Sequence, residues 1–360
     1  MVEKMRFAPR KIVSGVVMML FVSSAHSQSS VTLYGIVDAG LLYTSKTLNS
    51  QNGRNSGKQF SLIDAGSTPS NFGLKGVEDL GGGVKAEFRL ESGISVANGG
   101  YGISNGNLFG RQAWVGLQTD YGEVKAGLQY SPFFLALFRL DPRGTSTFAS
   151  GAIIYVDSVA ATGVFTSNAV SYTSPVMGGF QGSVLYALGG QAGDFAAGRQ
   201  YSADLKYENG SLLVDAAFFN GNAGGSAQTP IPTTVEFFGR TLGASYKFSS
   251  LTVKASFSSY KVAGSFSNNV YGGGFDYYVL PSLNLNGGVW FTTDRNDTSN
   301  HSILGAIGTQ YFLSKSTSLY GEVGVVNNHG KMNTGLSIDG ALYGVAGTTV
   351  GTVVGIRHLF

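Results

Sequence analysis

Apolar and polar side chains alternate in steps of two over short stretches that recur along the chain. The clearest stretch is 84–91, in which Val84, Ala86, Phe88 and Leu90 alternate with Lys85, Glu87, Arg89 and Glu91. Similar alternation occupies 31–41, 201–208, 241–248 and 251–258. Successive side chains of a β-strand point to opposite faces of the sheet, so the pattern predicts strands with one apolar and one polar face.

Short turns and longer polar segments alternate between these stretches. Seven short turns lie near 79–83, 120–122, 175–179, 208–210, 249–250, 280–282 and 314–317. Eight longer segments, rich in Gly, Asn and Ser, lie near 46–70, 97–108, 131–168, 189–200, 220–238, 261–270, 293–301 and 327–349. Together these connections separate sixteen strands, and such asymmetric connections are typical of outer-membrane barrels.

We therefore predict an all-β fold, a 16-stranded antiparallel transmembrane β-barrel. Its outer face is apolar, and its lumen-facing charged residues are predicted to be Asp38, Lys85, Glu87, Arg89 and Glu91. Closure of the barrel satisfies every backbone polar group, which a hydrocarbon environment requires. The alternative is a secreted soluble β-protein, in which so many amphipathic strands would leave unpaired edges.

The first 27 residues have the three parts of a secretory signal peptide. Basic residues come first, an apolar run covers 12–22, and Ala25-His26-Ser27 supplies small residues for cleavage. We expect a cleaved leader at 1–27 and a barrel domain at 28–360. The leader holds four basic residues and one acid, so the remainder has 24 − 4 = 20 basic and 21 − 1 = 20 acidic residues. This neutral balance gives no electrostatic footprint for nucleic acid, and no nucleic-acid partner is expected.

Several sequence blocks resemble one known family. They are SSVTLYGIVDAG (29–40), NFGLKGVEDLGGGVKAEFRLESG (71–93), FGRQAWVGLQTDYGEVKAGLQY (109–130), NAVSYTSP (168–175) and GIRHLF (355–360). They resemble the general diffusion porins of Gram-negative outer membranes, in particular the β-proteobacterial and neisserial branch. The resemblance implies a homotrimer in outer-membrane lipid that passes ions and small hydrophilic solutes. It also implies a third long loop folded into the lumen, and a final Phe360 that the barrel assembly machinery reads.

The resemblance further implies a constriction, in which basic wall residues face acids on the third loop. Arg111 matches a wall arginine of the family, whereas Asn71 stands where an arginine is more usual, on the same predicted face as Lys75. The third loop, near 131–168, carries Arg139, Asp141, Arg143 and Asp157. Asp141 is the best match to a constriction acid, although an internal pair with Arg139 or Arg143 is equally compatible. We expect Phe133, Phe134, Leu135, Leu137 and Phe138 to anchor the loop on the inner wall.

Other chemistry finds little support in the sequence. The chain has no cysteine, and His301, His329 and His358 lack the spacing of a zinc site, so no metal or cofactor is expected. No catalytic motif is present, and no catalytic residue is assigned. Two alternatives to a general diffusion channel remain open: a solute-specific outer-membrane channel and an outer-membrane barrel enzyme.

Overall fold

The computed structural model describes residues 30–160, 162–226 and 236–360. The predicted leader at 1–27 lies outside these residues. The strands are β1 (Ser30–Thr44), β2 (Gln59–Asp64), β3 (Asn71–Gly81), β4 (Val84–Gly93), β5 (Gln112–Thr119), β6 (Gly122–Tyr130), β7 (Phe165–Thr173), β8 (Phe180–Ala187), β9 (Gln200–Asn209), β10 (Leu212–Gly221), β11 (Phe237–Phe248), β12 (Leu251–Val262), β13 (Ser267–Leu280), β14 (Leu283–Asp294), β15 (His301–Phe312), β16 (Thr317–His329), β17 (Thr334–Ser337), β18 (Ala341–Tyr343) and β19 (Gly347–Leu359). The helices are α1 (Pro132–Leu140) and α2 (Gly151–Val159), and neither is long and apolar enough to cross a membrane.

The sheet closes on itself. From β3 to β16 each strand pairs antiparallel with its neighbour in sequence, β16 pairs with β19, and β19 pairs with β1 from Ile36↔Leu359 to Thr44↔Gly351. β2 and β3 both pair with β1 and together form one interrupted position of the barrel, so the closed sheet has sixteen positions. β17 and β18 form a separate hairpin. The prediction of a 16-stranded antiparallel barrel is confirmed.

The connections follow the predicted order of short and long, although several differ in length from the prediction. The segment expected at 261–270 is only 263–266, because Lys261 and Ser267 already pair in the ladder between β12 and β13. The seven short turns all lie at one end of the barrel and the longer connections at the other. In outer-membrane barrels the end with long loops is extracellular.

The outer face of the barrel is apolar and exposed. Leu33, Leu205, Leu242 and Val323 are about half exposed on alternate positions of their strands. Aromatic residues follow near the short turns, where Phe180 packs on Tyr207 and Tyr246 packs on Phe248. Such an aromatic row marks the membrane–water boundary of a barrel. Exposed apolar side chains of this extent are therefore lipid-facing.

The long segment between β6 and β7 folds into the barrel. α1 begins with Ser131 as its N-cap, whose hydroxyl accepts from the Phe134 N–H, and Pro132 occupies the first turn. The helix packs against β8–β12, and α2 packs against the β17–β18 hairpin. The buried core consequently lies inside the barrel, between this loop and one side of the wall. Its largest members are Phe133, Phe148, Tyr155, Phe219, Phe237, Tyr260 and Trp290.

The expected anchors of the loop are only partly the ones observed. Phe133 and Leu140 are buried against the wall, whereas Leu135 and Phe138 are 38% and 49% exposed. The reason is the helical period: positions 133, 136 and 140 share one face, and 135 and 138 lie on the other. Leu135 and Phe138 therefore face the lumen, and the prediction that they anchor the loop is wrong.

Candidate pore constriction

Arg139 joins α1 to the barrel wall. Its Nε lies 2.5 Å from Asp215 Oδ2, and its Nη2 lies 2.6 Å from Asp204 Oδ2. The two carboxylates are buried on the neighbouring strands β10 and β9. Asp204 on β9 pairs with Ala217, which is two residues after Asp215 on β10. A planar guanidinium can contact two acceptors at once, which a lysine cannot do with the same geometry. Arg139 therefore holds the loop to the wall instead of presenting its charge to the channel.

Arg143 makes a second attachment further along the same wall, on β14 and β16. Its Nη2 lies 2.8 Å from Glu322 Oε2 on β16, as an ion pair without an aligned hydrogen bond. Its Nε donates to Asn286 on β14 at 3.0 Å, and its Nη1 donates to the carbonyls of Phe148 and Ala149 at 2.8 Å. The Arg143 side chain is thus also held in contacts with the wall and the loop.

Asp141 lies within the loop and not on the channel surface. Its Oδ1 accepts from the N–H groups of Arg143 and Thr145, and its Oδ2 accepts from the Gly151 N–H at 2.9 Å. Burial raises the pKa of this carboxyl above its usual value, although the three backbone donors oppose the shift. Lys254 donates to the Asp141 carbonyl at 2.9 Å. Asp141 is therefore neither an exposed constriction acid nor an ion-pair partner of Arg139 or Arg143, which differs from both expectations.

Arg111 belongs to a buried polar network at the foot of the third loop. Its Nε lies 2.8 Å from Glu91 Oε1, and its Nη2 donates to the Tyr130 hydroxyl at 2.9 Å. The Tyr34 hydroxyl donates to Glu91 Oε2 at 2.8 Å, and the ring of Phe165 lies 5.6 Å from the guanidinium. Glu91 neutralises Arg111 locally, so this arginine contributes less free charge to the channel than expected.

A set of cations and aromatic rings lines the wall that the loop leaves bare. Lys75 Nζ and the Arg89 guanidinium lie 5.4 and 5.6 Å from the ring of Tyr34. Arg89 and Lys125 lie 6.0 and 4.6 Å from the ring of Trp114. The ladder pairs Lys75 with Arg89 and Arg89 with Trp114, so their side chains share one face. We call Lys75, Arg89 and Lys125 the basic stripe.

The members of the basic stripe differ in their partners. Lys125 pairs with Glu123 at 2.8 Å. Within the described ranges, Lys75 and Arg89 are in no ion pair, and Lys75 is exposed. Sequence reasoning placed Lys75 and Arg89 on the lumen side but missed Lys125. The position of Lys125 in GEVKAGLQY could have indicated its inward direction. Lys125 lies two residues from Gly127, and Gly127 pairs with the inward Trp114.

The remaining predicted residues occupy structural positions. Asn71 is buried and donates to the Pro69 carbonyl at 3.0 Å. Asp38 accepts from the N–H groups of Gly66, Ser67 and Thr68 and from the Tyr320 hydroxyl, so it fixes the interruption between β2 and β3. Lys85 and Glu87 lie towards the short-turn end of β4, and Lys85 is exposed.

Phe360 sits at the barrel seam. Its backbone exchanges hydrogen bonds with Gly35, at 3.0 and 3.1 Å. Its ring lies against the same residue, where a Cβ atom would come within 2.4 Å. A glycine is therefore needed at position 35 for this ring to pack as it does.

Comparison with known proteins agrees with this architecture. A model of the Gram-negative porin family matches residues 15–331. The chain belongs to the Gram-negative porin family. It is 29% identical to outer membrane porin protein 32 of Delftia acidovorans over 94% of this chain and 96% of that protein. It is 33% identical to an outer membrane porin protein of Bordetella pertussis, but that match covers only 63% of each chain.

A solved structure extends the likeness to three dimensions. The anion-selective porin from Comamonas acidovorans superposes with a TM-score of 0.79 at 28% identity, over 92% of this chain and all of that one. Porins are channels and not enzymes, so this porin is a barrel of the outer membrane that forms a passive diffusion channel. Among the described residues, no group of three or more potential ligands could hold a metal ion.

Proposed function

We propose that this porin passes ions and small hydrophilic solutes with a modest preference for anions. The observation that carries the proposal is an imbalance of free charge. Arg139, Arg143 and Asp141 are all held in contacts of the third loop, while Lys75 and Arg89 face the lumen without an ion pair among the described residues. Glu87 lies on the same face of β4 and is in no ion pair within the described residues, so the two cations outnumber the acid on this wall.

The size of the preference follows from dielectric screening. Two unit charges 4 Å apart interact by about 1 kcal/mol in water and about 4 kcal/mol at an effective dielectric constant of 20. Salt screens exposed charges over about 8–10 Å. Two free cations in a wet channel therefore favour anions without creating a binding site. The likeness to an anion-selective porin supports the same sign.

The proposal includes the biogenesis and assembly of the protein. Residues 1–27 are a leader that is removed on export, and 28–360 form the barrel domain. The assembly machinery recognises the segment that ends in Phe360, and the barrel sits in outer-membrane lipid as a homotrimer. Family membership supports the location of the barrel in the outer membrane.

The test is the reversal potential of single channels in a planar bilayer under a potassium chloride gradient. We expect the Lys75→Gln/Arg89→Gln variant to shift the reversal potential towards cations. Arg54→Gln/Lys58→Gln is the matched control, because it removes the same charge from exposed positions on an extracellular loop. If wild type and the Lys75→Gln/Arg89→Gln variant had equal reversal potentials, Lys75 and Arg89 would not be the source of the anion preference. Closure in three equal steps is expected for a trimer.

Arg111→Gln separates the basic stripe from the buried network. Because Glu91 neutralises Arg111, we expect this variant to lose stability and to shift the reversal potential less than the stripe variant does. A larger shift from Arg111→Gln than from Lys75→Gln/Arg89→Gln would return the main role to Arg111. Folding of each variant is checked by the heat-dependent mobility of the barrel on a gel.

A solute-specific channel is the second candidate, and one observation favours it. Leu135 and Phe138 present an apolar patch to the lumen opposite the basic stripe. An amphipathic anion could contact both surfaces during passage. Liposome swelling with aromatic carboxylates and with sugars of equal size tests this idea. Equal swelling rates would leave general diffusion as the function.

A further inference from the structure

A cavity of about 510 Å³ lies inside the barrel at its long-loop end, between α2 and the strands β13 and β14. Trp290 on β14 belongs to the core inside the barrel, and alternate residues of a strand share one face, so Thr292 and Asp294 point inwards as well. Asn268 on β13 pairs directly with Asp294 and projects to the same face. The described residues around this cavity include no member of the basic stripe. We call it the α2 cavity.

The α2 cavity carries more negative than positive charge. Asp157 on α2, Asp294 at the end of β14 and Asp297 in the connection after β14 all line it. Lys331 is the one cation among its described lining residues. None of these four side chains is in an ion pair within the described parts of the chain. Asp294 and Asp297 alone outnumber Lys331, so the cavity favours a cation over an anion whatever the protonation state of Asp157.

The acids at the end of β14 each keep one oxygen for a further partner. Asp294 Oδ1 accepts from the N–H groups of Ser267 and Asn296, at 3.1 and 2.9 Å. Asp297 Oδ1 accepts from the N–H and the hydroxyl of Ser299, at 3.1 and 2.6 Å. Within the described ranges, the Oδ2 of neither carboxylate is in a hydrogen bond. The loop contacts thus fix both side chains, and each leaves an acceptor for a ligand.

Two buried polar side chains of the α2 cavity lack a partner. Asn268 is 6% exposed and Thr292 is 1% exposed, and both line the cavity. Neither the Oδ1 of Asn268 nor the Oγ1 of Thr292 has a hydrogen-bond partner among the described residues. Buried polar groups are nearly always hydrogen-bonded, because leaving one unpaired costs free energy. A ligand with hydroxyl or N–H donors would satisfy both atoms.

The rest of the lining combines amides with an apolar surface. Asn296, Asn300 and Asn333 contribute amide groups, which include both donors and acceptors, as a ligand with several hydroxyl groups requires. Phe266 and Met332 contribute apolar surface, on which the C–H face of a sugar ring can pack. The volume also lies within the range of small-molecule sites, which is about 300–1,000 Å³. The lining therefore matches a small ligand that carries a positive charge, several hydroxyl groups and one apolar face.

We propose that the α2 cavity binds an amino sugar, that is, a pyranose that carries a protonated amine. The carboxylates of Asp294 and Asp297 receive the ammonium group. Asn268 and Thr292 bond to ring hydroxyls, and the apolar face of the ring lies on Phe266. The cavity is at the long-loop end, which is extracellular in such barrels, so the ligand enters from the external medium. This site goes beyond the proposed function and does not depend on the ion preference of the channel.

The experiment measures binding of D-glucosamine to the purified, folded porin in detergent by isothermal titration calorimetry at pH 6, where the amine is protonated. We expect Asp294→Asn/Asp297→Asn to weaken binding by about tenfold or more, because a hydrogen bond to a charged group contributes more than one to a neutral amide. The amide oxygens can still accept from the loop N–H groups. Asp120→Asn/Asp194→Asn removes the same charge from exposed positions elsewhere and is expected to bind like wild type. Equal affinity of the two double variants would overturn the proposal.

A second variant tests the same charge in the opposite direction. Lys331→Gln removes the cation of the lining, so we expect D-glucosamine to bind more tightly by about two- to fivefold, as suits an exposed charge. An unchanged or lower affinity would contradict the electrostatic part of the proposal. Heat-dependent gel mobility checks the folding of each variant, and Lys331→Gln serves as the test if Asp294→Asn/Asp297→Asn does not fold.

Further arms separate recognition of an amino sugar from binding of a simple cation. Glucose is expected to bind less tightly than D-glucosamine because it lacks the charge, and glucuronate least of all because its charge is negative. Ethanolamine and Mg²⁺ at the same concentration should displace D-glucosamine poorly, because they lack the ring and its hydroxyl groups. Equal binding of D-glucosamine and glucuronate would refute the role of the acids. Full displacement by ethanolamine or Mg²⁺ would show a simple cation site and refute sugar recognition.

Discussion

The two sides of the lumen wall use the same strand pattern for opposite purposes. The covered wall, β9 to β16, meets the third loop with aromatic side chains and with the acids Asp204, Asp215 and Glu322. The bare wall, β1 and β3 to β6, carries the basic stripe and faces water. Inward positions on the first wall bind the loop, and those on the second face the channel, where we propose that they act on the permeating ions. Charge in a porin lumen therefore has to be counted after the loop contacts have been assigned.

The largest effect is expected from Arg139→Ala, which removes the attachment of α1 to the covered wall. Two buried carboxylates, Asp204 and Asp215, would then lack their partner. Breaking a buried ion pair costs about 3–5 kcal/mol. We expect the lower end of this range, because the Arg139 side chain is 24% exposed. Single-channel recording should show a larger and noisier conductance as the loop leaves the wall.

Two further variants sharpen this prediction. Arg139→Ala/Asp204→Asn/Asp215→Asn removes the unpaired charges without restoring the attachment, so it should recover stability and keep the altered conductance. Arg54→Ala, on an exposed loop, should behave like wild type. A wild-type conductance for Arg139→Ala would mean that the apolar packing of Phe133 holds the loop by itself.

A smaller effect is expected from pH at the far end of the loop. Asp157 in α2 borders a cavity of about 510 Å³ that Asp294, Asp297 and Lys331 also line. Burial raises the pKa of the Asp157 carboxyl from its usual 3.8 to about 8. The folded loop therefore holds this proton more tightly than the unfolded chain does. The stability of the loop should be highest below pH 3.8 and should fall as the pH rises through about 8.

Single-channel noise at pH 6 and pH 9 tests the role of Asp157. Wild type should be noisier at pH 9, where the Asp157 carboxylate is ionised and α2 loosens. Asp157→Asn should show the same low noise at both values, since an amide does not titrate. An equally large rise of noise in Asp157→Asn would assign the pH effect to other groups, for which Asp297→Asn is the matched comparison.

The smallest effect is expected from Leu135→Ser/Phe138→Ser, which alters the loop surface that faces the basic stripe. Both side chains lie on the lumen side of the helix, 38% and 49% exposed, so stability should change by less than about 0.5 kcal/mol per substitution. Conductance should rise slightly because the side chains become smaller and more polar. Phe133→Ala on the buried face of the same helix is the contrast, with an expected cost of about 3–5 kcal/mol. Similar losses for both variants would contradict the assignment of the two helix faces.

The sequence predicts the barrel better than it predicts the channel. Alternation in steps of two depends on neighbouring residues, so strands, faces and the number of barrel positions can be predicted from local patterns. The contacts of Arg139 and Arg143 join residues 65 to 179 positions apart, and nothing local indicates which acids they meet. Lys125 was missed for a similar reason, because its importance comes from its distance to Trp114 on the adjacent strand.

The helix α1 shows the same limit on a smaller scale. An apolar run predicts anchoring, but only the helical period decides which of its residues reach the wall. Once the run is known to be helical, Phe133 and Leu140 can be assigned to one face and Phe138 to the other. The conformation of the segment was the missing information.

The seam between β1 and β19 makes the folded barrel kinetically stable. Its register joins residues more than 300 positions apart, so the last step of folding must wait until both strands are in place. Once closed, the sheet has no free edge from which pairing could be lost strand by strand. Opening at this seam would break the whole register, from Ile36↔Leu359 to Thr44↔Gly351, and expose backbone groups to hydrocarbon. The lifetime of the folded barrel is therefore governed by a high barrier to opening and not by a small equilibrium margin.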